Sequence, residues 1–486
     1  MTTITDLPSA EFPADPASQL ETLLAGIDGE YFGPTHPGWD RARQAWNLAV
    51  DQHPVAVVEP LSAADVSAVL RAAGQLGMRV APQATGHGAS TLGDLSGTVL
   101  LQTRRMNEVT VDAARMIARV GAGAVWADVV GPAAALGLAA LAGSSPDVGV
   151  VGYTLGGGFS WLSRSHGLAA NSVTAIELVT ADGVARRIEV ASPDALGAGS
   201  SPAPDSAEAF DAELAWALRG GGGDFAVVTA LEFRLYPITE VCAGALMWPI
   251  ERAAEVLHAW REWACEEPPS VTSVARLLRL PPLPELPPFL RGRSLVVVEA
   301  VAQEPADVGD ELIGRLRELG PEIDTFATVP VAELSALHMD PPGPVPGVGD
   351  GVLIDALTPE LVDALVDVVG PVGTRTGALL SVELRHLGGA LASSRGEGGV
   401  VAGLDAEAAL YMVGIAPVPP AAAAVRAGID AVLAAVAPWR SRVDFSNFAE
   451  TRRDPRTLFG NDVERLRALH RIVDPKGIIR SNHPVG

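Results

Sequence analysis

The chain has 486 residues, 48% of them hydrophobic and 19% charged, and a formal net charge of −23. That length suggests two or three domains, and the composition supplies sizeable cores and excludes a disordered chain. So acidic a surface repels phosphate backbones and anionic bilayers, so neither nucleic acid nor membrane is expected as a partner.

Met1–Asp15 is polar and acidic, without the basic and apolar regions of a signal peptide. No apolar run reads as long enough to cross a bilayer, and a cytoplasmic protein is expected. Residues 1–50 read as an irregular or helical lead-in anchored by Trp39 and Trp46, and Val55–Val58 as a short strand. Ser62 then caps a helix, with Asp65 in the capping-box position. Val66, Val69, Leu70, Ala73 and Leu76 share one helical face, which Gly77 ends. A strand over Arg79–Ala81 leads into Pro82–Thr91, PQATGHGAST. Gly86 and Gly88 leave the backbone around His87 free to take φ > 0, and successive N–H groups in such a turn suit a diphosphate. The blander reading of His87 is a solvated loop histidine. Val99–Gln102 is the next strand. Ile117–Val120 enters Gly121-Ala-Gly123 and a helix from Trp126 to Leu136. This is half a dinucleotide fingerprint, without the third glycine or the ribose-binding acid, and it reads as a tight strand-to-helix turn.

Ser144–Gly158, SSPDVGVVGYTLGGG, has five glycines in fifteen residues. Its valines, Tyr153 and Leu155 are unlike a flexible linker, so its backbone is expected to pack against something flat or anionic. A short helix follows Trp161–Gly167. Ala175–Thr180 and Val184–Val190 form a hairpin around Asp182-Gly183. Ser192–Asp205 is a surface loop, Ala207–Leu218 a helix, and Gly220–Gly223 precedes a strand over Phe225–Leu235. Beyond Tyr236-Pro237, strands at Ala243–Trp248, Val271–Leu280, Leu295–Ala302, Leu379–Leu384 and Leu410–Ile415 alternate with helices at Glu251–Ala264, Ala306–Leu319, Pro359–Val369 and Ala421–Val436. This order implies a helix-covered, largely antiparallel sheet. Pro281–Pro288 and Asp340–Gly351 are Pro/Gly loops, the second long enough for a lid. Phe445–Gly486 differs again, with Asn447, a helix near Asp462–Ile472 and Asp474-Pro475. Cys242 and Cys265 show neither CxxC nor zinc spacing, read as two buried thiols, and leave no metal site.

Four segments, in order, carry a family pattern: the entry Pro54–Val69; ATGHG around His87; Ser145–Val173 with VGVVGYTLGGG, Arg164 and GLAANSV; and LRGGGGDFAVVTALEFRLYP, followed by Asn447 and Asp474-Pro475. Nearly the whole chain resembles the FAD-linked oxidases with a vanillyl-alcohol-oxidase (PCMH-type) FAD domain, specifically the berberine-bridge-enzyme-like group. The resemblance implies an α+β fold: a two-subdomain FAD-binding domain over 1–237 (core from about residue 50), a substrate domain of antiparallel sheet under helices over 238–439, and a segment, 440–486, that returns to the first domain. It implies FAD held by Gln83, Ala84, Thr85, Gly86, His87, Gly88, Ser145, Val148, Gly149, Gly152, Tyr153, Gly156, Gly157, Gly158, Asn171, Val173 and Asn447, with His87 bonded to the flavin 8α-methyl carbon. A neutral imidazole is a competent nucleophile for that bond. Many relatives add a cysteine link where this chain has Ser145, so a single tether is expected. Val148 occupies a position beside the flavin where oxygen-reactive members carry a small residue, which favours an oxidase.

The family's C-terminal Y-x-N tyrosine, often assigned as catalytic base, is Phe445 here. Candidate replacements lie in Glu383–Gly389. On a strand Glu383 and Arg385 share one face and His386 takes the other; Tyr153 and Tyr411 are lesser candidates. The expected activity is hydride transfer from a C–H bond beside O or N of a small organic, secondary-metabolite or sugar substrate to flavin N5, and then to O2. Three alternatives stay open: a dehydrogenase of the same fold, a flavin-binding protein with lost activity, and a nicotinamide enzyme built on Gly121-Ala-Gly123. The oligomeric state also stays open.

Overall fold

In a computed structural model the chain is described over residues 16–190, 206–284, 286–341, 343–371, 376–392 and 398–486. Met1–Asp15 and the expected loop Ser192–Asp205 lie outside the described residues. Among the described residues seventeen strands form three sheets. The first contains β1 (Glu30–Phe32), β2 (Ala56–Glu59), β3 (Arg79–Gln83) and β4 (Thr98–Gln102), in the order β1-β2-β4-β3. β2 and β3 run parallel to β4, and β1 is antiparallel to β2. The lead-in therefore supplies an edge strand as well as helix. The crossover from β2 to β3 is the helix Ala63–Leu76, which seats Val66, Val69, Leu70 and Ala73 on the sheet. Its Ser62 cap forms, but the Asp65 carboxylate takes the N–H groups of Leu61 and Asp28, so the reciprocal half of the capping box is absent.

The second sheet, ordered β5-β6-β9-β7-β8, is antiparallel and comprises β5 (Val109–Asp112), β6 (Ile117–Gly121), β7 (Val173–Val179), β8 (Ala185–Glu189) and β9 (Val227–Arg234). Gly121 and Gly123 are glycines because a Cβ would strike the carbonyl oxygens of Met106 and Thr103. The turn is a close approach of backbone to backbone.

The third sheet is antiparallel throughout. It comprises β10 (Glu240–Pro249), β11 (Val271–Arg279), β12 (Ser294–Ala302), β13 (Ile323–Asp324), β14 (Ala327–Pro330), β15 (Gly347–Ile354), β16 (Ser381–His386) and β17 (Ala408–Ile415), along the path β13-β10-β12-β11-β16-β17-β15 with β14 also on β10. Alternation along these strands sorts their side chains. Ala275, Leu277, Val298, Val382, Leu384, Leu410 and Met412 pack under the helices Ala253–Glu266, Pro359–Val369 and Pro419–Val436. The other face carries Arg276, Glu299, Glu383, Arg385 and Tyr411, all in register across β12, β11, β16 and β17.

Three expectations need correction. The proposed lid Asp340–Gly351 is half strand: Gly347 onward is β15, paired with β17, and Val345 bridges to Asn47. The helix Pro419–Trp439 is, by length and composition, long and apolar enough to cross a membrane, but Val425, Ile429, Val432 and Val436 belong to the core under the sheet. Cys242 is buried as expected; Cys265 is exposed, and both thiols are unpaired.

Candidate active site

The His87 loop follows β3 directly. Gln83 ends the strand with its amide paired reciprocally to Gln52, at 2.9 and 3.1 Å. The chain then turns through Gly86 at φ 88°, where a Cβ would lie 2.8 Å from that of Ala45. Gly88 departs from expectation: its φ is −87°, and its missing side chain makes room for Asn482, whose Nδ2 donates to the Gly88 carbonyl. His87 is no solvated loop residue. Its Nδ1 lies 2.8 Å from Thr85 Oγ1, and the Trp46 indole stacks on the imidazole at 4.0 Å between centroids. Asp147 Oδ1 stands 3.6 Å from Nε2, while Trp46 Nε1 donates to Asp147 Oδ2 at 2.6 Å. His87 Nε2 itself is buried without a hydrogen-bond partner.

The glycine-rich segment lies against this loop, since a Cβ on Gly149 would come 3.1 Å from that of Ala84. Its helix, Val150–Leu155, ends in three glycines that pack against protein side chains. A Cβ on Gly156 would meet Asn447 Oδ1 at 2.6 Å, one on Gly157 (φ 118°) would meet Phe445 at 2.8 Å, and one on Gly158 would overlap the Tyr153 ring. Asn447 clamps the helix end: Oδ1 accepts from Gly158 N–H at 3.2 Å and Nδ2 donates to the Tyr153 carbonyl at 3.0 Å. Gly152 alone is exposed with open space before it. Ser145 Oγ donates to Asp147 at 3.4 Å, and Val148 is half-buried. Three expected flavin contacts are otherwise engaged. Tyr153 donates to the Leu141 carbonyl, Asn171 donates to the Ala402 carbonyl, and the Val173 side chain lies in the core of the second sheet.

Across from this loop, the open face of the third sheet holds a buried charge network. Glu383 pairs with Arg385 at 2.7 Å, and Arg276 with Glu299 at 2.7 Å. Between the two pairs sits His338, with Nδ1 2.7 Å from Glu299 and Nε2 3.0 Å from Glu383. Burial and Arg276 oppose a charged His338, but the two carboxylates prevail and raise it to about 9. Burial likewise favours a neutral Glu383, yet Arg385, His338 and Arg276 hold it below the carboxylate range. Arg385 also lies over the Phe448 ring at 5.2 Å. His386 is not part of this assembly. It projects from the opposite face, its Nδ1 has no partner, and burial with the nearby Arg164 charge lowers it to about 3. Ser144 Oγ reaches Asp340 at 3.3 Å, tying the glycine-rich segment to the loop that carries His338. Sequence reasoning missed Trp46 as a partner of His87, Asp147, and the trio Arg276, Glu299 and His338. Asp147 left one signal, being the single acid in Ser144–Gly158; nothing local marks the trio, which three distant segments assemble.

The mixed α+β fold, with a loop of small residues around the histidine and a sheet of buried charges, matches that of PCMH and berberine-bridge-like proteins. Residues 54–189 match the FAD-binding domain family. The chain is 31% identical over 332 residues to (R)-6-hydroxynicotine oxidase of Paenarthrobacter nicotinovorans, covering 67% of this chain and 66% of that protein. It is 30% identical over 253 residues to glucooligosaccharide oxidase of Sarocladium strictum, covering 51% and 47%. The aligned regions thus span roughly two thirds of the first relative and half of the second. Among solved structures, Physcomitrella patens BBE-like 1 superposes with a TM-score of 0.79 at 18% identity, over 96% of this chain and 99% of that one. Residues 54–189 form an FAD-binding domain, and the homologues of the chain are FAD-linked oxidases of the vanillyl-alcohol-oxidase (PCMH) family. The chain's residues fit the cofactor: His87 Nε2 is buried without a hydrogen-bond partner, Gly149 keeps a side chain off Ala84 in that loop, and Gly152 has open space before it.

Proposed function

We propose that the protein is an FAD-dependent oxidase with one covalent tether, through His87, that passes the substrate's electrons to O2. The observation that carries this reading is His87 Nε2, buried without a hydrogen-bond partner inside the matched FAD-binding domain. The flavin, once bound, accepts a hydride from carbon. The chain's own residues do the rest. The His87 loop and the start of the Val150–Leu155 helix, from Gly149 to Gly152, support the cofactor, with Thr85, Trp46 and Asp147 fixing the imidazole. Serine at 145 cannot form a thioether, which supports a single link. The buried Arg385–Glu383–His338 group holds the wall opposite in one arrangement. His386, neutral at ordinary pH and on the far face, takes no part.

The two relatives are named as oxidases of (R)-6-hydroxynicotine and of glucooligosaccharides, so the proposed substrate is a small organic molecule with a C–H bond next to nitrogen or oxygen. The proposed compartment is the cytoplasm, which cell fractionation tests. The functional test is direct. The purified protein should be yellow and keep its colour in the pellet after acid precipitation, and His87→Ala should release it. Oxygen uptake during turnover separates an oxidase from a dehydrogenase. A colourless protein that takes up no FAD refutes the assignment.

A further inference from the structure

Oxidation at a C–H beside O–H or N–H releases a proton as well as a hydride, and the expected acceptors do not suit it. Both oxygens of Glu383 are engaged by cations, Oε1 by Arg385 and Oε2 by His338. His386 faces the helices. Phe445 has no exchangeable proton and is 2% exposed among Leu168, Leu353 and Leu387.

Tyr411 is placed differently. It lies on β17 directly opposite Glu383 and shares its face. Its hydroxyl donates to Oε1 of Glu450, on the C-terminal segment. Gly349 on β15 leaves the space both groups use: a Cβ there would lie 2.6 Å from Tyr411 Oη and 2.9 Å from Glu450 Oε1. Both side chains are half-buried, so they form wall and not core. The Phe448 ring stands 5.7 Å from that of Tyr411, beneath Arg385. Ser90, in the turn that follows His87, donates to the Glu450 carbonyl at 3.0 Å. The dyad is therefore fastened to the histidine loop.

We infer that Tyr411 is the proton acceptor of the oxidation and that Glu450 relays its proton. The inference rests on the flavin reading above. In the step, the substrate X–H bond breaks and its proton passes to Tyr411 Oη, while the tyrosine's own proton passes to Glu450. The adjacent C–H bond gives its hydride, with both electrons, to the oxidised flavin, and the C=X bond forms. One proton and one hydride leave, so the step balances.

The charges facing the dyad set its pH dependence. Glu383 and Arg385 face it from β16, with His338 behind them; Asp350 faces it from β15, paired to Arg453 at 2.7 Å. Burial raises the Tyr411 phenol well above its usual value. Burial also raises Glu450, as does Asp350, against the Tyr411 hydrogen bond. The relay requires the pair as phenol and carboxylate. Protonating Glu450 blocks the relay, so the rate falls with falling pH on a limb displaced upward from an ordinary carboxyl.

The test uses the yellow holoprotein and its Tyr411→Phe and Glu450→Gln variants, each checked for unchanged colour and melting temperature. The visible difference spectrum of the resting protein is titrated from pH 5 to 9. The wild type should show a spectral step from Glu450, which Glu450→Gln abolishes and Tyr411→Phe displaces. Anaerobic bleaching is then followed with (R)-6-hydroxynicotine and cellobiose as probes. Tyr411→Phe should slow it about 100-fold or more, the scale of a lost general base, and Glu450→Gln should remove the acid limb. Identical spectral titrations in all three yellow proteins overturn the dyad and leave the flavin reading intact. So does equal bleaching by wild type and Tyr411→Phe. A colourless wild type overturns both.

Discussion

His338 offers a quantitative check on the buried network. Its ring is 3% exposed and lies between the carboxylates of Glu299 and Glu383, which raise it to about 9. The unfolded chain returns it to about 6.5. A folded pKa above the unfolded one gives stability that is full below about pH 6.5 and is lost as pH rises through about 9. Across that window the folded state holds one more proton, so stability falls by about 1.4 kcal/mol per pH unit, or about 3 kcal/mol in all. His338→Gln keeps a donor but removes the proton. Urea unfolding of both proteins at pH 6, 7, 8 and 9 reads the effect, because titrating groups outside the network cancel in the difference. The variant should be less stable at pH 6 by about 3–5 kcal/mol, the scale for breaking a buried ion pair, and the gap should close with rising pH. Parallel curves would mean that His338 is neutral, and would refute the charge assignment.

Other expectations are simpler. His386 is buried, has no partner at Nδ1 and is lowered to about 3. Its contribution is therefore intact above about pH 6.5 and falls by about 1.4 kcal/mol per unit below it. His386→Leu should flatten the acid limb of a urea-stability profile and leave turnover unchanged. Asp147→Ala removes the carboxylate beside His87 Nε2 and the acceptor of the Trp46 indole; the fraction of flavin retained after acid precipitation should drop, while the secondary structure by circular dichroism holds. Gly157→Ala adds a methyl 2.8 Å from the Phe445 ring at φ 118°. Overpacking costs about 1–3 kcal/mol and the backbone strain adds to it, which thermal unfolding should register.

Much of the scaffold was legible because it rests on local rules. Pro359–Val369 and Ala207–Leu218 begin at Thr358 and Ser206 side-chain caps and run as their periodicity implied. The alternation Glu383, Arg385 against His386 placed those residues on opposite faces correctly. What stayed hidden was made by distant contacts. Asp340–Gly351 reads as a loop because prolines and glycines fill it, yet the glycines at 347, 349 and 351 belong to β15, where Gly349 and Gly351 admit Tyr411 and Phe448. The same substitution of tertiary for local reasons explains Gly156 and Gly157: their neighbours, Phe445 to Asn447, lie almost three hundred residues away in sequence. His338 and Glu299 carry no local mark at all; a charged histidine between two carboxylates exists because β12, β16 and the loop after Leu337 meet.

The C-terminal segment ties these pieces together, and Asn447 is the residue that shows how. Asp444 pairs with Arg440 and Arg453, each at 2.9 Å, and Arg453 reaches Asp350 on β15. Ser446 and Asn447 instead bind the end of the Val150–Leu155 helix. Glu450 then meets Tyr411 and the His87 turn. A segment fixed at both ends sets where Glu450 stands. Asn447→Ala leaves the Gly158 N–H and the Tyr153 carbonyl without partners in a half-buried site, at a cost of about 1–3 kcal/mol. The variant should remain yellow, since Asn447 is not needed to hold the His87 loop, but should melt earlier and bleach more slowly with the same probes as Glu450 loses its register. Unchanged bleaching in a protein of lowered melting temperature would show that the clamp serves stability alone and that the dyad is positioned from β15 and β17 without it.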